Sequence, residues 1–159
     1  MSASDSGQSI LLLLDVIDIL EKENVPYAVI GAFAASFYGV VRASMDADAV
    51  ISLTASNLDA QELVRILQKA GLDAQYRKGD YEDPLKGVVK ITDQYHNQVD
   101  LITGIHGMDD EAFKRIVRVS FLKRTIRLIG IEDFIAMKIS AGSPKDLDDA
   151  LGVLKVSRQ

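Results

Sequence analysis

Two aspartates, Asp46 and Asp48, stand one residue apart at the start of an apolar stretch formed by Ala49, Val50 and Ile51. The pattern predicts a β-strand, in which residues i and i+2 point to the same side, so the two carboxylates would lie roughly 7 Å apart on one face. Clustered like charges cost free energy unless they are paired or bind a metal ion. The pair therefore has two interpretations, a solvated strand start or a site for a cation.

A third aspartate, Asp100, lies between the apolar residues Val99 and Leu101. Aspartate is disfavoured in the middle of a strand by propensity and by burial, so its presence requires a reason. A neighbouring turn or arginine could satisfy it as a structural residue. Alternatively, Asp100 joins Asp46 and Asp48 in one cleft as a third acid.

Gly31 directly follows the apolar stretch Tyr27–Ile30, which suits a central strand covered on both faces. The next residues, Ala32–Tyr38, are apolar enough to form a short buried helix. The backbone amides of Gly31 and Ala32 would then lie at a helix N-terminus, where unpaired N–H groups can bind a phosphate. A tight strand-to-helix turn without a ligand would have the same sequence.

The composition is that of an ordinary globular protein, with 159 residues, 48% apolar and 26% charged. We expect a single domain over residues 1–159, with residues 1–8 as a disordered tail because they are rich in serine and small polar residues. The net charge of −5 argues against a protein that coats nucleic acid by bulk electrostatics.

The chain has no cysteine and only two histidines, which excludes disulfides and thiolate metal sites and leaves little basis for a structural zinc site. The apolar run Ile10–Leu14 is too short to span a bilayer and is followed by acidic residues. Because no signal peptide or membrane anchor is visible, we expect a cytoplasmic protein that does not bind membranes.

Apolar periodicity and turn residues predict the elements that would position these acids. The predicted helices are Ile10 to near Asn24, Leu58–Ala70 with Thr54 or Ser56 as its cap, a short one over Asp109–Arg115, Ile131–Ser140, and Pro144–Leu154 with Ser143 as its cap. The predicted strands are a weak one over Asp73–Tyr76 and a hairpin of Val88–Thr92 with Gln98–Ile102. An exposed loop is predicted over Arg77–Gly87.

Six of the 18 basic residues lie between Lys114 and Arg127, interleaved with apolar residues. This alternation predicts a two-stranded sheet edge with one basic face. Such a face could hold a nucleic acid backbone, or it could stay solvated and protect the sheet edge from further pairing.

Together, the glycine after a strand, the 13 residues between Ala32 and Asp46, the Asp-x-Asp entering a strand and the later Asp100 resemble the nucleotidyltransferase superfamily of the DNA polymerase beta type. Its small bacterial branch includes the nucleotidyltransferase toxins of abortive-infection type. The chain is similar to this branch in three motifs, Arg42-x-Ser44-x-Asp46-x-Asp48, Lys138-Ile139-Ser140-Ala141 and Lys145-Asp146-Leu147-Asp148-Asp149. The resemblance covers about Pro26–Leu154.

The resemblance implies an α+β fold with a mixed, mostly antiparallel sheet flanked by helices and a helical C-terminus. It implies a nucleoside triphosphate as donor substrate and divalent metal ions, Mg²⁺, held by Asp46, Asp48 and Asp100. Asp100 would also help to activate the acceptor hydroxyl. The triphosphate would contact a further set of residues, Gly31, Ala32, Arg42, Ser44, Lys138 and Asp146.

Two functions from different classes follow. The first is a metal-dependent enzyme that moves a nucleotide from a nucleoside triphosphate to a hydroxyl on RNA, protein or a small molecule. The second is a catalytically impaired binding module, such as a toxin-antitoxin component or a regulatory partner, because the family usually has Gly-Ser or Gly-Gly where this chain has Gly31-Ala32. Since little of the chain is left for binding an acceptor, a second copy or an antitoxin-like partner would complete the site.

Overall fold

The strands of the protein form one mixed sheet flanked by helices in a computed structural model that describes residues 2–40, 46–83, 85–105 and 108–157. The helices are α1 (Ser9–Lys22), α2 (Gly31–Phe37), α3 (Ala60–Lys69), α4 (Ile131–Ala141) and α5 (Pro144–Ser157). The strands are β1 (Tyr27–Ile30), β2 (Asp46–Ile51), β3 (Asp73–Lys78), β4 (Leu85–Thr92), β5 (Gln98–Ile105), β6 (Val117–Phe121) and β7 (Arg124–Leu128).

The strands lie in the order β3-β4-β5-β2-β1-β7-β6. β2 pairs with β5 in parallel and β1 with β7 in parallel, while the remaining pairings between neighbours are antiparallel. The predicted fold class, α+β with a mixed and mostly antiparallel sheet, is therefore confirmed.

Alternation of side chains gives the central strands one apolar face and one polar face. Ala49, Leu101, Val89 and Ala74, on four neighbouring strands, are at most 1% exposed and belong to the core. α1 packs on β2 and β5, and α3 packs on β3. Both helices thus cover the apolar face, and the residues that alternate with these four point to the other side of the sheet.

α1 supplies a large part of this core because its leucines and isoleucines recur at helical spacing. Leu13, Ile17 and Leu20 are fully buried, and each such side chain stabilises the fold by roughly 2 kcal/mol. The helix ends at Lys22, and Asn24 adopts a left-handed backbone conformation with φ of 57° that stops it.

Three predicted local features need correction. The cap of α3 is Asp59, in a capping box with Glu62, and neither Thr54 nor Ser56, which form a 3-10 turn instead. The exposed loop predicted at 77–87 is shorter, because β3 continues to Lys78 and β4 begins at Leu85. The short helix predicted after Asp109 is a 3-10 helix, Asp110–Lys114.

The two C-terminal helices have the predicted boundaries to within a few residues. Gly142, with φ of 73°, ends α4, and the Ser143 hydroxyl accepts a hydrogen bond from the backbone N–H of Asp146 at the start of α5. Phe134 of α4 and Val153 of α5 reach the core. Within the described part of the chain, none of the helices combines the length and apolar character that a membrane span requires.

Residues 2–8, expected to form a disordered tail, make contacts with the turn between β4 and β5. The side chain of Asn97 is 1% exposed; it accepts a hydrogen bond from the backbone N–H of Gln8 and donates one to the carbonyl of Asp5. The chain before α1 is thereby tied to the start of β5, the strand that carries Asp100.

Candidate active site

Asp48 and Asp100 are direct neighbours on the polar face of the sheet. In the parallel pairing of β2 with β5, Asp48 stands opposite Asp100 and Asp46 stands opposite Gln98. Adjacent strands are roughly 4.8 Å apart, so the α-carbons of Asp48 and Asp100 have about that separation. The structure therefore brings together the three aspartates singled out from the sequence.

Gly31 closes this site from the side of β1. Ile30 pairs with Asp48, and Gly31 turns the chain away from the sheet into α2 with φ of 69°. A β-carbon on Gly31 would lie 2.4 Å from Oδ2 of Asp48. Glycine is required here twice, for its left-handed conformation and for the space that the carboxylate occupies.

The electrostatics of the three acids reflect their crowding. Burial raises the pKa of Asp48 from 3.8 to about 6; the negative charges of Asp100 and Asp46 add to the rise, and the Lys138 ammonium opposes it. Burial also raises the pKa of Asp100, against a hydrogen bond from Gln98 that lowers it. Burial and the closeness of the other acids therefore disfavour the charged forms of Asp48 and Asp100.

Gln98 also belongs to the site, although it was not among the residues predicted from the sequence. Its Nε2 donates to both oxygens of Asp100, at 3.0 and 3.2 Å, and its position on β5 is opposite Asp46. The signal that could have found it is the spacing of two from Asp100, which places both side chains on one strand face.

Lys138, predicted to lie near the phosphates, is held by α5. Its Nζ lies 3.4 Å from Oδ1 of Asp146 and 3.3 Å from Oδ2 of Asp149. The side chain of Asp149 is only 5% exposed. Asp146, predicted to contact the nucleotide, thus orients Lys138, and its hydrogen bond with the Ser143 hydroxyl lowers its pKa.

Solved structures with a similar fold include three that match nearly the whole chain. They are a candidate nucleotidyltransferase of Thermotoga maritima (TM-score 0.66, 16% identity, 96% of each chain), the antibiotic-resistance factor ANT(2'')-Ia (0.64, 15%, 96% of this chain and 85% of that one), and the lincosamide antibiotic adenylyltransferase LnuA with lincomycin bound (0.60, 12%, 97% and 99%). This chain has the nucleotidyltransferase fold.

Sequence comparison adds nothing to that result, since no protein-family model and no curated protein matches the chain. At 12 to 16% identity the structural likeness establishes the nucleotidyltransferase fold and leaves the reaction to be argued from the chain's own residues. The specific similarity to abortive-infection toxins stays a prediction.

Of the remaining predicted site residues on this nucleotidyltransferase fold, the structure describes one and not the other two. Ala32 lies in the first turn of α2, half-buried, directly after Gly31. Arg42 and Ser44 lie outside the described residues. α2 has only seven residues, so any phosphate binding at this turn would rest on the backbone amides of Gly31 and Ala32 more than on a helix dipole.

The described ranges contain no group of three or more histidine, cysteine, aspartate or glutamate side chains already arranged to hold a metal ion. The donors that meet at Asp48 and Asp100 are nonetheless all carboxylate oxygens, the ligands preferred by Mg²⁺ and Mn²⁺. The Gln98 amide donates to both oxygens of Asp100, and because a carboxylate has further lone pairs, this hydrogen bond can orient Asp100 while it coordinates a metal ion.

β6 and β7 form the predicted two-stranded sheet edge, and three of the six basic residues between Lys114 and Arg127 pair with acids of the same chain, one of them on the strands themselves. Arg115 makes a bidentate ion pair with Asp133, Lys114 pairs with Glu111, and Arg124 pairs with Asp18. These pairs favour a solvated, structural edge over a nucleic acid interface.

A cavity of about 610 Å³ lies beside the acids, on the polar face of β3, β4 and β5. Asp100 and Gln98 form one wall, and Lys90 and Arg77 lie across from them. Two residues of the segment 77–87, Arg77 and Leu85, line this cavity. Its shape depends on how β4 aligns between β3 and β5, which local sequence does not specify.

Proposed function

We propose that this protein transfers a nucleotide from a nucleoside triphosphate to an acceptor hydroxyl, with divalent metal ions held by Asp46, Asp48 and Asp100. The observation that carries the proposal is the parallel pairing of β2 with β5, which sets Asp48 beside Asp100 while the backbone of Gly31 lies against the Asp48 carboxylate. The nucleotidyltransferase fold supports it, since LnuA is an adenylyltransferase with the same topology.

In the proposed reaction the acceptor oxygen forms a bond with the α-phosphorus, and the bond from that phosphorus to the β-phosphate oxygen breaks, releasing pyrophosphate. Asp100 would accept the proton of the acceptor hydroxyl and pass it to solvent. Bound divalent cations would supply charge stabilisation for the attacking and leaving oxygens.

The donor would lie between the turn after β1 and α4. The amides of Gly31 and Ala32 would donate to phosphate oxygens, and Lys138, fixed by its two acidic partners, would neutralise part of the triphosphate charge. Asp146 acts through Lys138, and Arg42 and Ser44 are proposed as further donor contacts from the sequence motif alone.

Two features are compatible with the second function, a catalytically impaired binding module. Gln98 holds both oxygens of Asp100, and an alanine follows Gly31 at the phosphate turn. A protein that kept this fold only to bind a partner would tolerate both features. The two functions differ in whether triphosphate and Mg²⁺ bind and in whether a nucleotide is transferred.

The deciding experiment is Mg²⁺-dependent label transfer from an α-labelled triphosphate into a cell extract, together with thermal unfolding. For the enzyme we expect transfer that is lost in Asp46→Ala with Asp48→Ala and kept in Glu21→Ala with Glu23→Ala, which removes two acids at the C-terminal end of α1, the helix on the opposite face of the sheet. Triphosphate with Mg²⁺ at a hundredfold excess over its Kd should stabilise the fold by roughly 3 kcal/mol. If neither transfer nor any thermal shift occurs, the enzyme proposal is wrong.

A further inference from the structure

The cavity beside Asp100 has a defined position in the sheet. Asp48, Asp100, Lys90 and Gln75 stand in one row across β2, β5, β4 and β3, because each is paired in register with the next. The cavity therefore begins where the proposed metal site ends, and Asp100 belongs to both.

The charge of the cavity is set by β3 and β4. Lys90 on β4 stands directly opposite Asp100 on β5. Arg77 on β3 is opposite Val88 of β4, which is two residues from Lys90 and points to the same face of the sheet. The described lining residues thus include two cations and one carboxylate. Once Asp100 is engaged in the reaction, the remaining charge that faces the cavity is positive.

We propose that this cavity receives the acceptor, and that the acceptor carries a phosphate group close to its reacting hydroxyl. The inference rests on the proposed function and specifies its substrate class. The hydroxyl would face Asp100, while the phosphate would lie between Lys90 and Arg77, which are placed to donate charge-assisted hydrogen bonds to it. The reaction itself is the one proposed above, with the same new oxygen–phosphorus bond, the same release of pyrophosphate and the same transfer of the hydroxyl proton.

Size and apolar character fit the same class of molecule. A volume of about 610 Å³ lies within the range of roughly 300–1,000 Å³ that is typical of small-molecule sites. Leu85 and Val88 provide an apolar floor against which a sugar or base could pack. A nucleotide, either free or at the end of a strand, has a hydroxyl, a phosphate and an apolar ring face in this arrangement.

The two cations argue against a polyamine acceptor. One ANT(2'')-Ia structure is a complex with adenylyl-2''-tobramycin, and tobramycin is an oligosaccharide with several protonated amines. Lys90 and Arg77 have the same sign of charge as such a molecule and would repel it, in a manner that weakens with added salt because both side chains are exposed. Two proteins with this fold can therefore use acceptors of different classes.

The test compares acceptors and variants in one assay. Label transfer from α-labelled triphosphates is measured with three probes: free 5′-AMP, a short ribo-oligonucleotide with a free 3′-hydroxyl, and tobramycin. We expect labelling of AMP or the oligonucleotide, with the more active of the two identifying the source of the phosphate. Lys90→Gln with Arg77→Gln should lower kcat/KM for that acceptor at least tenfold and leave KM for the triphosphate unchanged. The control, Lys69→Gln, removes a cation from α3 on the covered face of the sheet and should change neither value.

A binding measurement separates this inference from the proposed function. Fluorescence anisotropy with a labelled oligonucleotide, and calorimetry with 5′-AMP, should show at least tenfold weaker binding by the double variant than by wild type, whether or not transfer occurs. Equal binding by the two proteins, or labelling of tobramycin in preference to both phosphate-bearing probes, overturns the inference while leaving the transfer reaction standing. Loss of the thermal response to triphosphate and Mg²⁺ in wild type would instead remove the proposed function.

Discussion

Gly31 and Asp48 are in direct contact across the junction of β1 and α2, because a β-carbon at position 31 would lie 2.4 Å from Oδ2 and 3.3 Å from Cβ of Asp48. No rotation of the Asp48 carboxylate alone can relieve both approaches. This one contact thus fixes both the Gly31 turn, which would face the triphosphate, and the Asp48 carboxylate, which would face the metal ion.

Gly31→Ala should therefore impair the site more than it impairs the fold. The left-handed φ of 69° costs alanine roughly 1 kcal/mol, and the clash adds roughly 1–3 kcal/mol or forces Asp48 out of position. We expect loss of the thermal shift produced by triphosphate and Mg²⁺. The matched control is Gly71→Ala, which has φ of 88° and nothing within 4 Å of the new methyl group. If both variants respond to the ligands alike, the contact has no functional role.

Asp48→Asn should stabilise the metal-free protein at neutral pH. Because the folded-state pKa of Asp48 is about 6 and the ordinary value is 3.8, ionisation of Asp48 destabilises the folded state above pH 6, and this cost disappears as the pH falls below 4. The rise corresponds to an upper limit of roughly 3 kcal/mol, which partial exposure will reduce. Urea unfolding at pH 7.5 should show the variant to be more stable than wild type, and the difference should vanish near pH 4.

Asp146→Asn should change the free energy of unfolding in the opposite direction in the same experiment. The pKa of Asp146 is lowered, first by its hydrogen bond with the Ser143 hydroxyl, so its stabilising contribution is present at neutral pH and is lost as the pH falls through that lowered value. This variant should be less stable than wild type at pH 7.5 by roughly 1 kcal/mol. A gain in stability for Asp146→Asn, or a loss for Asp48→Asn, would contradict the electrostatic description of the site.

Local features of the sequence were sufficient to predict β1 and to select Asp100. β1 was predicted with its observed limits because four apolar residues stand between Pro26 and Gly31. Asp100 could be selected because an acid inside a buried strand conflicts with propensity and burial. Each of these judgements needs only the residues within a few positions along the chain.

The rest of the site depends on pairing between distant strands, which no local pattern specifies. Gln98 is an ordinary polar residue at a strand start until the alignment of β2 with β5 places it opposite Asp46. Lys90 and Arg77 can be recognised as cavity residues only when β4 is aligned with both β3 and β5. The cap of α3 was misplaced for a different reason, since Thr54, Ser56 and Asp59 are all good capping residues and the choice is made by the 3-10 turn.

Asp149→Asn tests whether α5 positions Lys138 for the donor. The carboxylate is buried and lies 3.3 Å from the Lys138 ammonium, so its loss leaves that cation with one acidic partner fewer. Removing one member of a buried ion pair costs roughly 3 kcal/mol. We expect this loss of stability together with a several-fold higher KM for the triphosphate and little change in kcat. Asp148→Asn, an exposed neighbour on α5, is the control. Unchanged KM in Asp149→Asn would mean that Lys138 does not contact the donor.

Ala32→Ser addresses the residue at which this chain departs from the Gly-Ser or Gly-Gly of the family it resembles. The backbone N–H of Ala32 is retained in the first turn of α2, and its side chain is half-buried beside the turn that contacts Asp48. A serine hydroxyl there would add one hydrogen bond to a charged phosphate oxygen, a contribution of roughly 1.5 kcal/mol. We therefore expect triphosphate affinity, measured by calorimetry with Mg²⁺, to rise about tenfold. Ser36→Ala, at an exposed position near the end of α2, should leave affinity unchanged. If Ala32→Ser binds no more tightly and the bulkier Ala32→Val binds no more weakly, the phosphates do not lie at this turn.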